Sequence, residues 1–319
     1  MNFSALRASP QGRALWMGFG IIALFAIFRP LPACADRKPA PPSTTTCRIM
    51  AQDPFEPDAR IGSGPHAGEC VDTTNYRSFR LLENSDVANL PGAIATLDPT
   101  KYRFIANVQH FGKFWVAAIP SGDLVSRMIF QAEHFPPNWL AAHTQTRVDF
   151  KPGMEPLLFL QTDFMAPPVK MSSLVLSNEA VPFRGGPAFN LITGIGGSFA
   201  FGKRLVSLPD EVEKIRTAKH WTEQYELRFG TDERQNRFWN FALQVFNDPE
   251  MKQVYDTLEH NCSNSIYEAV DLFEGRSRGT WDRAETTMPL FFGYSLRSRA
   301  LIDDHSELKS LNEEFNIPY

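Results

Sequence analysis

The segment His260-Asn261-Cys262-Ser263-Asn264-Ser265 sets one cysteine just ahead of Ile266, Ala269, Val270 and Phe273, an apolar stripe at helical spacing. Small polar residues before such a stripe mark a helix start, so Cys262 is expected in the first turn. A thiol there meets unpaired backbone N–H groups and the positive end of the helix dipole. Both favour the thiolate. A thiolate suits acyl transfer through a covalent intermediate on an ester, thioester or amide. The competing reading is a structural cysteine, because free thiols are usually buried.

Such a nucleophile needs an imidazole within reach and a third polar group to hold that imidazole. Among the seven histidines, His260 is too close in sequence for a linear hydrogen bond to Cys262. His66 sits in a loop, His110 in a turn, His220 in a connector and His305 near the acidic end. His143 opens an alternating strand after Phe135-Pro136-Pro137, from which a rigid sheet could aim it into a cleft; His134, nine residues earlier, is the second choice. Glu179, just after Leu174-Val175-Leu176, is the preferred third member, with Asp149 and Asp163 as alternatives. A carboxylate there would accept the second imidazole N–H and fix the tautomer. The oxyanion hole would use the backbone N–H of Cys262 and one further donor that the sequence does not name.

These residues need a sheet and helices to carry them. Strands are expected at Tyr102–Val108 and Phe114–Ile119 about a turn at Gly112, within Leu124–His134, and at His143–Phe150, Leu157–Gln161 and Ser172–Ser177. The glycines from Gly185 to Gly197 lack the context of a phosphate loop and read as a turn or loop. Helices are expected from Pro209-Asp210-Glu211, from Asn236 to Phe246 with Phe238, Phe241, Ala242 and Val245 on its buried face, and from Cys262. The fold class is therefore α+β, an antiparallel sheet packed against helices.

Arg7 and Arg13 precede an apolar run from Ala14 to Phe28, and Ala33-Cys34-Ala35 offers a small-x-small cleavage site. Residues 1–35 thus read as a signal peptide or membrane anchor. Leu31-Pro32-Ala33-Cys34 also resembles a lipoprotein box in which Cys34 would be lipidated. Either way the protein is expected in the bacterial cell envelope, periplasmic, touching the membrane only through this N-terminal segment. Residues 36–60 read as a Pro-rich linker, and Cys47 and Cys70 as a disulfide pair in an oxidising compartment, which leaves Cys262 the odd thiol. Without residues 1–35 the chain keeps 29 basic against 36 acidic residues, a net charge of −7, since three arginines and no acids are removed. That balance argues against nucleic acid as a partner. No His/Asp/Glu cluster has ligand spacing, so neither metal nor other cofactor is implied.

Four stretches resemble the Lnb N-terminal periplasmic domain family. They are Met128–Phe135 with Ala142-His143-Thr144 and Val148-Asp149-Phe150; Leu174–Ala180, like a strand ending in Ser-x-Glu; Tyr255–Asp271, where Asn261-Cys262-Ser263-Asn264 resembles Asn-Asn-Cys-Thr-Thr-Asn; and Met288–Tyr294. The likeness covers residues 120–305, leaving 61–119 an N-terminal part of uncertain assignment and 306–319 an acidic tail. His260 and Ser263-Asn264-Ser265 depart from the family pattern. The resemblance implies a circularly permuted papain-like core of the NlpC and lecithin retinol acyltransferase type, with Cys262 as nucleophile, His143 as base and Glu179 as third member. An envelope peptide, a peptidoglycan-derived molecule or a lipid is the expected substrate. A non-catalytic envelope binding or scaffold module is the alternative.

Overall fold

The alternating apolar and polar runs form one sheet of ten strands among the described residues. These are Arg80–Leu81 (β1), Tyr102–His110 (β2), Lys113–Pro120 (β3), Val125–Phe135 (β4), Ala141–Phe150 (β5), Leu157–Leu160 (β6), Val169–Lys170 (β7), Ser173–Pro182 (β8), Phe199–Ser207 (β9) and Trp221–Leu227 (β10). The order is β10-β4-β5-β8-β9-β2-β3-β6-β7, with β1 on β2. Every pair is antiparallel except β2 with β9. Phe111 and Gly112, at φ 46° and 68°, turn β2 into β3 as a two-residue hairpin loop of positive φ. This computed structural model describes residues 46–62, 66–135, 141–189, 193–194, 197–255, 262–277 and 292–318, without the side chains of Ala141 and residues 262–265. The signal, anchor and Cys34 readings lie outside the described residues.

Helices follow as Asn84–Val87 (α1), Leu208–Ala218 (α2), Asp232–Val245 (α3), Cys262–Phe273 (α4), Phe292–Ser298 (α5) and Leu311–Glu314 (α6). Ser207 caps α2 by accepting the Asp210 N–H, and Thr231 caps α3 by accepting that of Arg234. Each cap satisfies a donor that the first turn leaves open.

Strand pairing fixes what each face of the sheet carries. On one face Val175 and Val206 pack under Leu208, Val212 and Ile215 of α2 and under Leu311 and Ile317 of the C-terminal segment. On the other, Phe130, Val148, Leu174 and Leu176 pack with Trp239 and Ala242 of α3 and with Ile266, Tyr267 and Val270 of α4. Each such side chain, fully buried, contributes roughly 1.5–3 kcal/mol, which outweighs the helices' modest intrinsic propensities.

Several stretches sit differently from the sequence reading. Within residues 36–60, Cys47, Phe55 and Ala59 are buried, and Cys47 is bonded to Cys70. Arg77 holds that segment down by donating to Asp53. Residues 61–119 supply β1, β2 and β3 of the same sheet. The acidic C-terminal residues are not simply solvated, because Leu311 and Ile317 are buried and a Ser310–Glu313 capping box starts α6. On α3 the buried face is Phe238, Trp239, Ala242 and Leu243, whereas Val245 is exposed.

Candidate functional site

Helix α4 begins at Cys262, as the apolar stripe predicts. The Cys262 side chain, His260 and Asn261 lie outside the described residues. The direction of α4 follows from its rings. Tyr267 packs on Phe130 of β4, and Phe273, six residues on, packs on Phe238 and on Phe229 just past β10. Its N-terminus therefore points toward the opposite ends of β4 and β5, which carry His134 and Ala142-His143-Thr144. Along its length α4 packs against β5 and β8.

His143 and Glu179, the expected base and third member, are together: Nε2 lies 3.4 Å from Oε1. The β5–β8 pairing ends at Gln145 opposite Ser177, so both residues stand just beyond it, where the two strands part. Glu179 also accepts a hydrogen bond from Ser177 Oγ at 2.7 Å and from the Arg204 guanidinium at 3.3 Å. Burial alone would raise its pKa. The charge and hydrogen bond of His143, with Lys214 and Arg204, outweigh burial and hold it well below the usual carboxylate range.

This pair belongs to a larger buried ionic chain. Lys214 of α2 donates to Glu133 and to Glu211, each at 3.0 Å, and Glu211 accepts from Arg204 at 3.2 Å. His220 Nδ1 lies 2.6 Å from Glu133. Burial pushes the Glu133 carboxyl up, but Lys214, His220 and His143 together bring it down to about 2. Burial works against the Lys214 ammonium too, yet Glu133, Glu211 and Glu179 hold its pKa well above the ordinary value. Tyr76 lies under the Arg204 guanidinium, and burial followed by the Glu179 charge raises its phenol pKa.

The sheet's alternation separates the two candidate imidazoles. Glu133 pairs with His143, and His134 with Ala142, on successive rungs of the β4–β5 ladder. Side chains on successive rungs point to opposite faces. His143, Glu133 and Glu179 therefore share the face covered by α2. His134 shares the face covered by α4, its ring 5.1 Å from that of Trp221 and its Nε2 3.6 Å from Glu223 Oε1. The alternative third members are engaged elsewhere. Asp149 binds Arg127 and Arg147, and Asp163 accepts the Met165 N–H within a turn.

Sequence reading missed Glu133, Arg204, Glu211 and Lys214. The available signal was Gln131 and Glu133 alternating with Phe130 and Ala132, which marks a strand polar on its second face, together with the Glu211/Lys214 spacing on α2. His110 also has a partner, Ser207 Oγ at 2.7 Å. Ser207 is wholly buried and caps α2, so that pair offers no accessible nucleophile. No family model, no curated protein and no solved structure matches the chain.

Proposed function

We propose that this protein is an exported thiol enzyme, a hydrolase or acyltransferase of permuted papain-like design, in which Cys262 attacks an ester, thioester or amide of a cell-envelope peptide, peptidoglycan fragment or lipid. The reading rests on one observation: α4 starts at Cys262 and directs that end toward the strand ends bearing His134 and His143. On the α4 face the base is His134, with Glu223 as the carboxylate that orients it. The imidazole takes the thiol proton and the sulfur attacks the carbonyl carbon. An S–C bond forms as the carbonyl π pair moves to oxygen. Collapse of that oxyanion reforms the carbonyl and expels the alcohol, thiol or amine, which receives the proton from the imidazolium. Water or an acceptor nucleophile then cleaves the acyl-enzyme by the same steps in reverse.

A second reading assigns the base to His143 held by Glu179. It is favoured by their 3.4 Å separation at the place where β5 and β8 part. Labelling with a vinyl-sulfone probe at pH 7 separates the readings, using wild type, Cys262→Ala, His134→Ala and His143→Ala. The expected result is modification at Cys262 that slows about 10²-fold or more in His134→Ala and is nearly unchanged in His143→Ala. Slowing confined to His143→Ala transfers the role to the His143–Glu179 pair. Equal labelling in both variants refutes the enzyme reading and leaves a scaffold with a structural thiol.

A further inference from the structure

Asn178 lies on β8 between Ser177 and Glu179, yet it faces away from both. Its partner across the β8–β9 ladder is Lys203, and one step past the β5–β8 pairing its other neighbour is Thr144. The three stand in a row across β5, β8 and β9 on the face that α4 covers, set among Leu176, Leu205 and Phe201. Asn178 is 1% exposed, and neither its amide nitrogen nor its amide oxygen has a hydrogen-bond partner; Thr144 is 0% exposed and its hydroxyl has none either. Buried polar atoms in folded proteins are paired with few exceptions, and an exception asks for a ligand or a role. The Lys203 ammonium is turned over the Phe201 and Phe246 rings, at 4.2 and 5.2 Å, and so does not occupy the amide. Helix α4 packs on β5 and β8, two of these three strands, and its opening turn leaves N–H groups unpaired at a positive dipole end.

We infer that Asn178 is the side-chain donor of the oxyanion hole, its amide N–H meeting the carbonyl oxygen of the acyl group that Cys262 attacks. The inference rests on the thiol reading above. When the S–C bond forms, the π pair moves onto that oxygen, and the Asn178 N–H and the Cys262 backbone N–H receive the charge. Collapse returns the pair to the carbonyl and releases the leaving group. Thr144 lines the same row and can donate its hydroxyl to a neighbouring acceptor on the acyl chain. The amide oxygen of Asn178 is left to accept from an N–H or O–H of the substrate.

Two reagents distinguish an oxyanion donor from a packing residue. Acylation of Cys262 by p-nitrophenyl acetate passes through an oxyanion, whereas alkylation by iodoacetamide displaces iodide and forms none. Asn178→Ala is expected to slow acylation about 10²–10³-fold while alkylation stays within a factor of about two, with Tm unchanged or raised because an unsatisfied amide is removed. Equal acylation of the variant and wild type overturns the assignment alone. Parallel loss of both rates, or a lowered Tm, makes Asn178 structural and overturns it too. A wild-type chain that is alkylated but never acylated at Cys262 overturns the thiol reading together with this inference.

Discussion

Replacing Lys214 by Met tests whether the α2 face is held by its buried charges. The ammonium sits 3.0 Å from both Glu133 and Glu211, whose side chains are 2% and 0% exposed. At an effective dielectric near 20, each contact is worth roughly 5 kcal/mol of gross attraction, most of it offset by desolvation. What matters for the variant is the state left behind. Two carboxylates would stay under α2, with only Arg204, His220 and His143 nearby to answer them. Breaking a buried pair in this way costs about 3–5 kcal/mol. Because the Lys214 side chain is itself 28% exposed, water screens part of that, so about 3 kcal/mol is expected. For a chain of this size the corresponding fall in Tm is about 5 °C.

The pH dependence gives the sharper test. In the wild type the Glu133 carboxyl has its pKa lowered to about 2 from 4.5. A depressed carboxylate contributes stability above its unfolded pKa and loses it as pH falls through the folded one, here between 4.5 and about 2. The Lys214→Met change removes the largest lowering influence, so the carboxyl protonates at higher pH than in the wild type. The deficit should be full at pH 7 and shrink as pH approaches 4, as the variant's Glu133 carboxyl becomes neutral. Urea unfolding followed by circular dichroism at several pH values measures it. A loss below about 1 kcal/mol at pH 7, or a loss that does not shrink on acidification, would refute the reasoning.

The Cys47–Cys70 bond closes a loop across a sequence separation of 23, so replacing both residues with serine should cost about 3 kcal/mol. Unchanged urea midpoints with and without reductant would show that the buried Arg77–Asp53 pair already holds residues 46–60 in place. Gly92 has φ 78°, and a Cβ on it would stand 2.2 Å from the Phe164 carbonyl oxygen. Gly92→Ala should therefore lose about 2–4 kcal/mol, and a variant as stable as wild type would mean that the Phe164 turn gives way without cost.

What the sequence disclosed tracks how far each strand keeps two distinct faces. β2, β3 and β5 alternate or run apolar between clear turns, and their expected spans match the observed ones closely, whereas β8 runs five residues past its expected end at Ser177 to Pro182. β9 is not legible in the same way. Every residue of Phe199–Ser207 is buried, so no polar face marks it, and Gly202-Lys203-Arg204 in its middle looks like a turn. β10 reads Trp-Thr-Glu-Gln-Tyr-Glu-Leu, too polar for a strand until Gln224 is seen bonded to Gln131 and Glu314. The α3 stripe slipped by one position because Trp239 and Leu243, not Phe241 and Val245, meet the sheet. Cys262 at a helix start and the nearness of His143 to Glu179 were both legible. The face each occupies was not, since that needs the register between strands.

Register also explains how one short strand end sends neighbouring polar residues to two different faces. His134 and His143 flank a hairpin and stand on neighbouring rungs, so the pleat sends them to opposite sides however close their backbones lie. The same rule splits Ser177, Asn178 and Glu179. The outer two join the ionic chain under α2, and the middle one faces α4 without a partner. Charges on the α2 face are joined to one another by contacts of 2.6–3.3 Å, although the buried Gln145 Oε1 on that face has no hydrogen-bond partner. On the α4 face, the Asn178 amide and the Thr144 hydroxyl have no hydrogen-bond partner. A paired ion network holds strands in place, whereas an unpaired donor under a helix can receive charge that appears during a reaction. On the proposed reading, the unpaired amide of Asn178, more than the proximity of an imidazole to a carboxylate, is the reason to favour the Cys262 side of the sheet.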